Sequence, residues 1–252
     1  MFSRIEIEKF HREGYVIAPG LASRESCAAM TELTGLALAK DPGPVEYESD
    51  LHYPGAPASR QAAGGGTVRR LLQAYSRHPL FSGWATDPEV IARVRQLLGP
   101  HLVLPQAHHN CIMTKYPRFS SDTNWHQDIR YWSFERPDLL SVWLALGPEV
   151  PENGGLYLLP GTHTMTIARE RLDETLFLRT DLPENQRLIA SQITAQLNPG
   201  DALFFHARTF HAAGRNYTDL AKFSLVFTYR PADNRPLAGT RSAAQPEIPI
   251  EG

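Results

Sequence analysis

The segment Lys222-Phe223-Ser224-Leu225-Val226-Phe227-Thr228-Tyr229 alternates between two kinds of side chain. On an extended chain Lys222, Ser224, Val226 and Thr228 project to one side, and Phe223, Leu225, Phe227 and Tyr229 to the other. A strand of this kind needs an apolar layer against one face and a cavity or water against the other. Residues 139–146 repeat the pattern, with Ser141, Trp143 and Ala145 opposed by Val142, Leu144 and Leu146. The remaining strand signals are 102–114, 156–159, 193–197 and 202–206, with turns at Asn153-Gly154-Gly155 and Asn198-Pro199-Gly200-Asp201. A helix over 169–178 fits between two of these strands.

The N-terminal quarter supplies the apolar layer. Residues 5–12 read as a short helix closed by Gly14, and Tyr15-Val16-Ile17 as a strand. Ser23 is placed to cap a helix whose Cys27, Met30, Leu33, Ala37 and Leu38 recur at helical spacing. Asp87-Pro88-Glu89 opens another, with Val90, Ile91, Val94, Leu97 and Leu98 on one face and Gly99-Pro100 as the stop. Residues 41–66 are rich in Pro, Gly and Ala and read as a long loop, either a lid or disordered. Helices followed by an antiparallel β core fit one domain over 1–252, with a helical part over about 1–100, a core over about 101–232 and a tail over 233–252.

Charge excludes some functions. With 25 basic and 27 acidic residues there is no broad basic field for nucleic acid. Cys27 and Cys111 make neither a disulfide framework nor a thiolate cage. The N-terminus lacks the apolar core of a secretion signal and no run is long enough to span a bilayer, so the expected setting is the cytoplasm, with no membrane partner and no obligate protein partner.

The chemistry-bearing constellation is His126, Asp128 and, far downstream, His211. His126 and Asp128 are two apart, so an extended chain turns both to one side and Gln127 to the other. Two imidazoles and a carboxylate on one face of an ion suit a non-haem Fe(II) oxygenase. A bare His-x-Asp is common, and His206 competes with His211 for the third position.

Around these residues runs an ordered series: His126-Gln127-Asp128, Pro137-Asp138-Leu139, Val142-Trp143-Leu144-Ala145-Leu146, Glu152-Asn153-Gly154-Gly155-Leu156 and Leu159-Pro160-Gly161-Thr162-His163. Gly200-Asp201-Ala202-Leu203-Phe204-Phe205-His206, His211 and Gly214-Arg215-Asn216 continue it. The series resembles the phytanoyl-CoA dioxygenase family of Fe(II)- and 2-oxoglutarate-dependent oxygenases, closely over about 109–229 and more loosely before.

The resemblance implies a mainly β fold with flanking α: a double-stranded β-helix core, jelly-roll and cupin-like, with the N-terminal helices packed on one side. It implies His126, Asp128 and His211 as iron ligands, with 2-oxoglutarate and O2 as co-substrates. It places a cation for the far carboxylate of the keto acid eleven residues after the distal histidine. Relatives have arginine there; this chain has Lys222, which keeps the charge and loses the fork. Ser224 shares its face, and Arg215 or Arg69 are alternative sources of charge. Trp143, Gln127 and Cys111 carry over as co-substrate pocket residues. Arg130, Trp132, Arg69 and His109 are candidates for contact with a small-molecule substrate, Arg69 and Arg70 as a clamp for an acidic one.

The expected activity is hydroxylation of an unactivated C–H bond of a small metabolite, with release of succinate and CO2. The presence of Asp128 favours this over halogenation. Two other classes keep the same residues: a cupin-like metalloenzyme that needs no 2-oxoglutarate, and a non-catalytic binding barrel.

Overall fold

The computed structural model describes residues 1–40 and 42–251. Asp41, at the head of the expected 41–66 loop, and Gly252, at the end of the expected tail, lie outside the described residues. The chain begins with α1 (Arg4–Glu13), β1 (Tyr15–Ala18), α2 (Arg24–Lys40), β2 (Val45–Tyr47), β3 (Val68–Leu72), α3 (Ala74–Arg77), α4 (Pro79–Ala85) and α5 (Pro88–Leu98). It continues with β4 (Leu102–Pro105), β5 (Asn110–Lys115), β6 (Thr123–His126), β7 (Leu140–Ala145), β8 (Leu156–Leu158), α6 (Pro183–Ile189), β9 (Ile193–Thr194), β10 (Ala202–His206), β11 (His211–Ala213), β12 (Lys222–Pro231) and β13 (Glu247–Ile250).

Local chemistry sets the helix ends. Ser3 and Glu6 cap α1 reciprocally, the Ser3 N–H donating to the Glu6 carboxylate at 2.8 Å. Gly14 ends α1 at φ 80°, and a Cβ there would lie 2.5 Å from both His163 Nδ1 and Thr209 Oγ1. Glycine is therefore needed for handedness and for close approach alike. Asp87 accepts the Glu89 N–H at 2.8 Å and Pro88 takes the first position of α5.

The strands form two antiparallel sheets. The larger runs β1-β10-β7-β12-β5-β3-β2, with β4 joined to β12 and β13 to β4. The smaller runs β6-β11-β8-β9. On one face of the large sheet Leu225, Phe227, Tyr229, Val142, Leu144 and Phe204 pack against Phe10, Cys27, Met30, Val90, Ile91 and Val94 of the helices. Each such side chain contributes about 1.5–3 kcal/mol through burial. The one polar atom this core buries on β12, the Tyr229 hydroxyl, donates to Ala85 O at 2.7 Å. On the other face Cys111, Trp143, Leu203, Phe205 and Val226 meet Leu156, Leu158 and Ala213 of the small sheet. Both alternations read from sequence are therefore realised, helices on the apolar side and a lined interior on the other.

Several expectations change. The expected strand over 102–114 is two strands, β4 and β5, with a turn between them. Residues 169–178 do not form an α-helix. The Asp173 carboxylate accepts the N–H groups of Thr175 and Phe177, and that local bonding competes with helix propagation. The helix of the insertion is α6 instead, started by Pro183. The strand expected at 15–17 is β1, paired with β10, but the part expected to be helical also contributes β3, paired with β5. Within 42–66 the chain forms β2 and a 3-10 turn over Glu48–Asp50, tied down by the Ser49 hydroxyl donating to Gly65 O at 3.0 Å. Among the described residues no helix is long and apolar enough to cross a membrane.

Candidate metal centre and its two chambers

His211 of β11 sits directly across from His126 of β6 in the antiparallel ladder. Backbone pairing thus places the two imidazoles side by side, their ring centroids 4.1 Å apart. The strand ends at His126, and Asp128 opens a 3-10 turn over Asp128–Tyr131. Gln127 between them is extended, so the carboxylate still turns to the His126 side. Asp128 Oδ1 lies 3.8 Å from His126 Nε2 and 3.6 Å from His211 Nε2, and all three residues are buried.

Hydrogen bonds decide which nitrogens are free. His126 Nδ1 donates to Asn124 O at 2.8 Å and His211 Nδ1 to Thr209 O at 3.0 Å. A carbonyl only accepts, so each Nδ1 carries the proton and each Nε2 lone pair faces the shared space. Burial, then the neighbouring His211, hold His126 well below the ordinary histidine range, which keeps it neutral. The other Asp128 oxygen faces the Ser141 hydroxyl at 3.4 Å and His109 Nδ1 at 3.5 Å. Burial pushes His109 down to about 4 despite the pull of Asp128, so this partner is neutral too. Donors about 2.1 Å from one ion lie about 3.0–3.6 Å apart at angles of about 90–120°. The two carboxylate–imidazole distances fit a cation after a sub-ångström contraction, and all three ligand atoms lie within 4.8 Å of one another. The donor set, two imidazoles and one carboxylate, is that of a ferrous site with open positions.

The triad stands where two cavities meet. The inner one, of about 30 Å3, lies between the sheets and is lined by Met113, Lys115, Trp143, Leu156, Ala213 and Lys222. The outer one, of about 230 Å3, is walled by Tyr53, Arg70, Arg130, Tyr131, Trp132 and Arg241 among others. His126 and Asp128 line both.

At the inner chamber the structure alters the picture of Lys222. Its Nζ donates to Glu149 Oε2 at 3.0 Å and to Ser224 Oγ at 3.0 Å. Ser224 and Trp143 Nε1 donate to Glu149 Oε1 at 2.6 and 2.8 Å. All four side chains are buried, so the expected anchor carries no free charge: a lysine this deep needs a carboxylate, and Glu149 is that carboxylate. Lys115, missed in the sequence, is its cross-strand partner in the register of β5 and β12. Lys115 is buried and meets only the Ser121 carbonyl, at 2.5 Å. Burial first, then the Arg69 charge, push it down to about 7. The signal was available: Cys111, Met113 and Lys115 share one face of β5.

The other expected residues divide. Gln127 turns away, donating through its side chain to Arg208 O at 2.5 Å, and lines neither chamber. Cys111 lines the outer chamber, its thiol pushed up to about 11 by burial. Arg130 and Trp132 reach the outer chamber, carried there by the 3-10 turn rather than by a continued strand. Arg69 does not face the outer chamber. It is buried against Glu48 at 3.3 Å, Ser121 at 3.0 Å and Thr123 at 2.8 Å, and Arg70, one residue on, takes the place at the cavity. His206 lies away from the triad, stacked against His163 at 5.5 Å.

The family model for phytanoyl-CoA dioxygenase (PhyH) matches residues 10–223. The chain belongs to the phytanoyl-CoA dioxygenase family. It is accordingly a dioxygenase that uses non-haem iron and 2-oxoglutarate. Among curated relatives, it is 26% identical to the ectoine dioxygenase of Stutzerimonas stutzeri, over 90% of this chain and 76% of that one. EctD from S. alaskensis with bound Fe shares the fold at a TM-score of 0.78 and 20% identity, covering 99% of this chain and 87% of the other. The epimerase SnoN, in complex with Fe3+, alpha ketoglutarate and nogalamycin RO, superposes at 0.74 with 23% identity, covering 98% and 95%.

Proposed function

We propose that His126, Asp128 and His211 hold Fe(II) and that the protein hydroxylates a C–H bond of a small metabolite. The observation that carries this reading is the convergence of two Nε2 lone pairs and one carboxylate oxygen, all buried, at the junction of two cavities. The inner chamber, widened beyond its present volume of about 30 Å3, takes 2-oxoglutarate, and the outer takes the substrate. Lys222 is neutralised by Glu149, and Arg69 and Arg70, which also line this chamber, face Glu48 and Glu46, so Lys115 supplies the net positive charge for the far carboxylate of the keto acid. When bound, iron and keto acid supply the oxidation: with one O2, 2-oxoglutarate becomes succinate and CO2 and takes one oxygen atom, and the other enters the substrate as hydroxyl.

The chain contributes placement and exclusion of water. Thr209 and Asn124 carbonyls fix the imidazole tautomers. Ser141 and His109 hold the outer oxygen of Asp128. Leu156, Met113 and Ala213 keep the inner chamber apolar, which strengthens every charge interaction inside it.

Anaerobic addition of 2-oxoglutarate to the ferrous protein tests the reading. A visible charge-transfer band is expected, and Asp128→Ala is expected to abolish it and weaken iron binding by more than about 100-fold. Intact iron binding with no band sinks the proposal and favours a metalloenzyme that needs no keto acid.

A further inference from the structure

The outer chamber is lined by three arginines, Arg70, Arg130 and Arg241, and by two carboxylates, Glu46 and Asp128. Among the described residues Arg130 meets no carboxylate: its Nη atoms approach Thr175 O at 3.3 Å and the Tyr53 hydroxyl at 3.4 Å, and its Nε is buried without a hydrogen bond. Arg70 pairs with Glu46 at 3.4 Å; Glu46 also faces Arg69 at 3.3 Å, and Arg69 has Glu48 at 3.3 Å besides, while Arg70 Nε and Glu46 Oε1 lack a formed hydrogen bond. Arg241 lines the same cavity, and among the described residues no carboxylate lies against it. The only other carboxylate at this cavity is Asp128, which faces the triad. The nearby His108 is pushed down to about 3 by burial and adds no charge.

The walls are flat. The Trp132 ring stacks on His108 at 4.9 Å with 32° between planes, and the Arg130 guanidinium lies 3.8 Å from the Phe177 ring centre and 4.3 Å from that of Tyr131. Tyr53 stands edge-on to Phe177 at 5.5 Å. The half-buried Arg130 guanidinium, with no carboxylate against it among the described residues, is free to take an anion, and a planar fork held over aromatic rings suits a carboxylate on a flat body. The volume, about 230 Å3, lies below the usual range for drug-sized ligands.

From this we infer that the substrate is a small carboxylic acid with an aromatic or otherwise planar body, its carboxylate held by Arg130 and Arg70 and its ring between Trp132 and Tyr53. The inference rests on the oxygenase reading only for the word substrate. The anion preference belongs to the chamber itself.

The test is isothermal titration of the full chain, loaded with Fe(II) and saturated with 2-oxoglutarate under argon. The probes are phenylacetate, phenylacetamide and phenethylamine, which share a shape and differ in charge. The acid is expected to bind at least tenfold more tightly than the amide, and the amine most weakly. Arg130→Gln is expected to remove that preference and Arg130→Lys to restore part of it, while 2-oxoglutarate affinity stays the same in both, which also shows that both variants are folded. Equal binding of acid and amide, no binding of the acid at millimolar concentration, or an unchanged preference in Arg130→Gln overturns the inference. The charge-transfer band, read in the same samples, separates this failure from that of the oxygenase reading: a band without anion preference sinks the substrate class alone.

Discussion

Lys115→Met should make the protein more stable and bind its keto acid less well. Lys115 is buried and its ammonium has no carboxylate partner among the described residues, so burial brings its folded-state value from 10.5 to about 7. A shift of that size corresponds to about 4 kcal/mol of destabilisation at neutral pH, as an upper bound. The sign follows from proton counting. Between pH 7 and 10.5 the unfolded chain holds this proton more tightly than the folded one, so folding becomes more favourable as pH rises through that window. Methionine has a similar length and no charge, and removes the penalty. A gain of about 2–4 kcal/mol is expected, worth at least about 4 °C in Tm for a domain of this size. Binding moves the other way. One charge-assisted hydrogen bond contributes about 1.5–3 kcal/mol, so the Kd for 2-oxoglutarate should rise about 10- to 100-fold. A group titrating near 7 also makes wild-type affinity fall about tenfold from pH 6 to pH 8, a dependence Lys115→Met should lack. Differential scanning calorimetry and anaerobic titration followed by the charge-transfer band measure both halves. A variant less stable than wild type, or one with unaltered co-substrate affinity, refutes the reasoning.

The buried pair at the same chamber should behave oppositely. Glu149→Gln or Lys222→Met alone is expected to cost about 3–5 kcal/mol by chemical denaturation, and the double variant to recover most of it. Additive losses in the double variant would show that the two charges do not interact. Acid should unfold the metal-free protein early. His109 and His206 are both pushed down to about 4 by burial, so stability present above the unfolded value near 6.5 is lost as pH falls from there to about 4. A denaturation midpoint flat across that window would contradict the buried, neutral state of these rings.

Much of this was legible in the sequence because two signals agree. Period-two alternation in 222–229 and 139–146 set the large sheet and its two faces, and the ordered series of motifs set the triad. What was not legible was pairing that depends on folded proximity. Nothing in the local sequence of Glu149 says that Lys222, Ser224 and Trp143 will all donate to it. Lys115 was hidden for a different reason: a strand reading that ran unbroken over 102–114 obscured the start of β5 and stopped one residue short of its inward face. The choice between Arg69 and Arg70 turned on whether a side chain meets Glu48 and Thr123 or the cavity, which β3 settles only once paired to β5. The misplaced helix at 169–178 fell to a single aspartate whose side chain bonds its own backbone.

That the two histidines proposed to hold iron are oriented by main-chain carbonyls, and not by other side chains, has a consequence for divergence. A tautomer written into the path of the backbone survives any exchange of neighbouring residues that leaves that path alone. The walls of the outer chamber can then be rewritten freely, one arginine or tyrosine at a time, without disarming the centre they surround, so a single scaffold can pass from one metabolite to another by changes that never touch the metal.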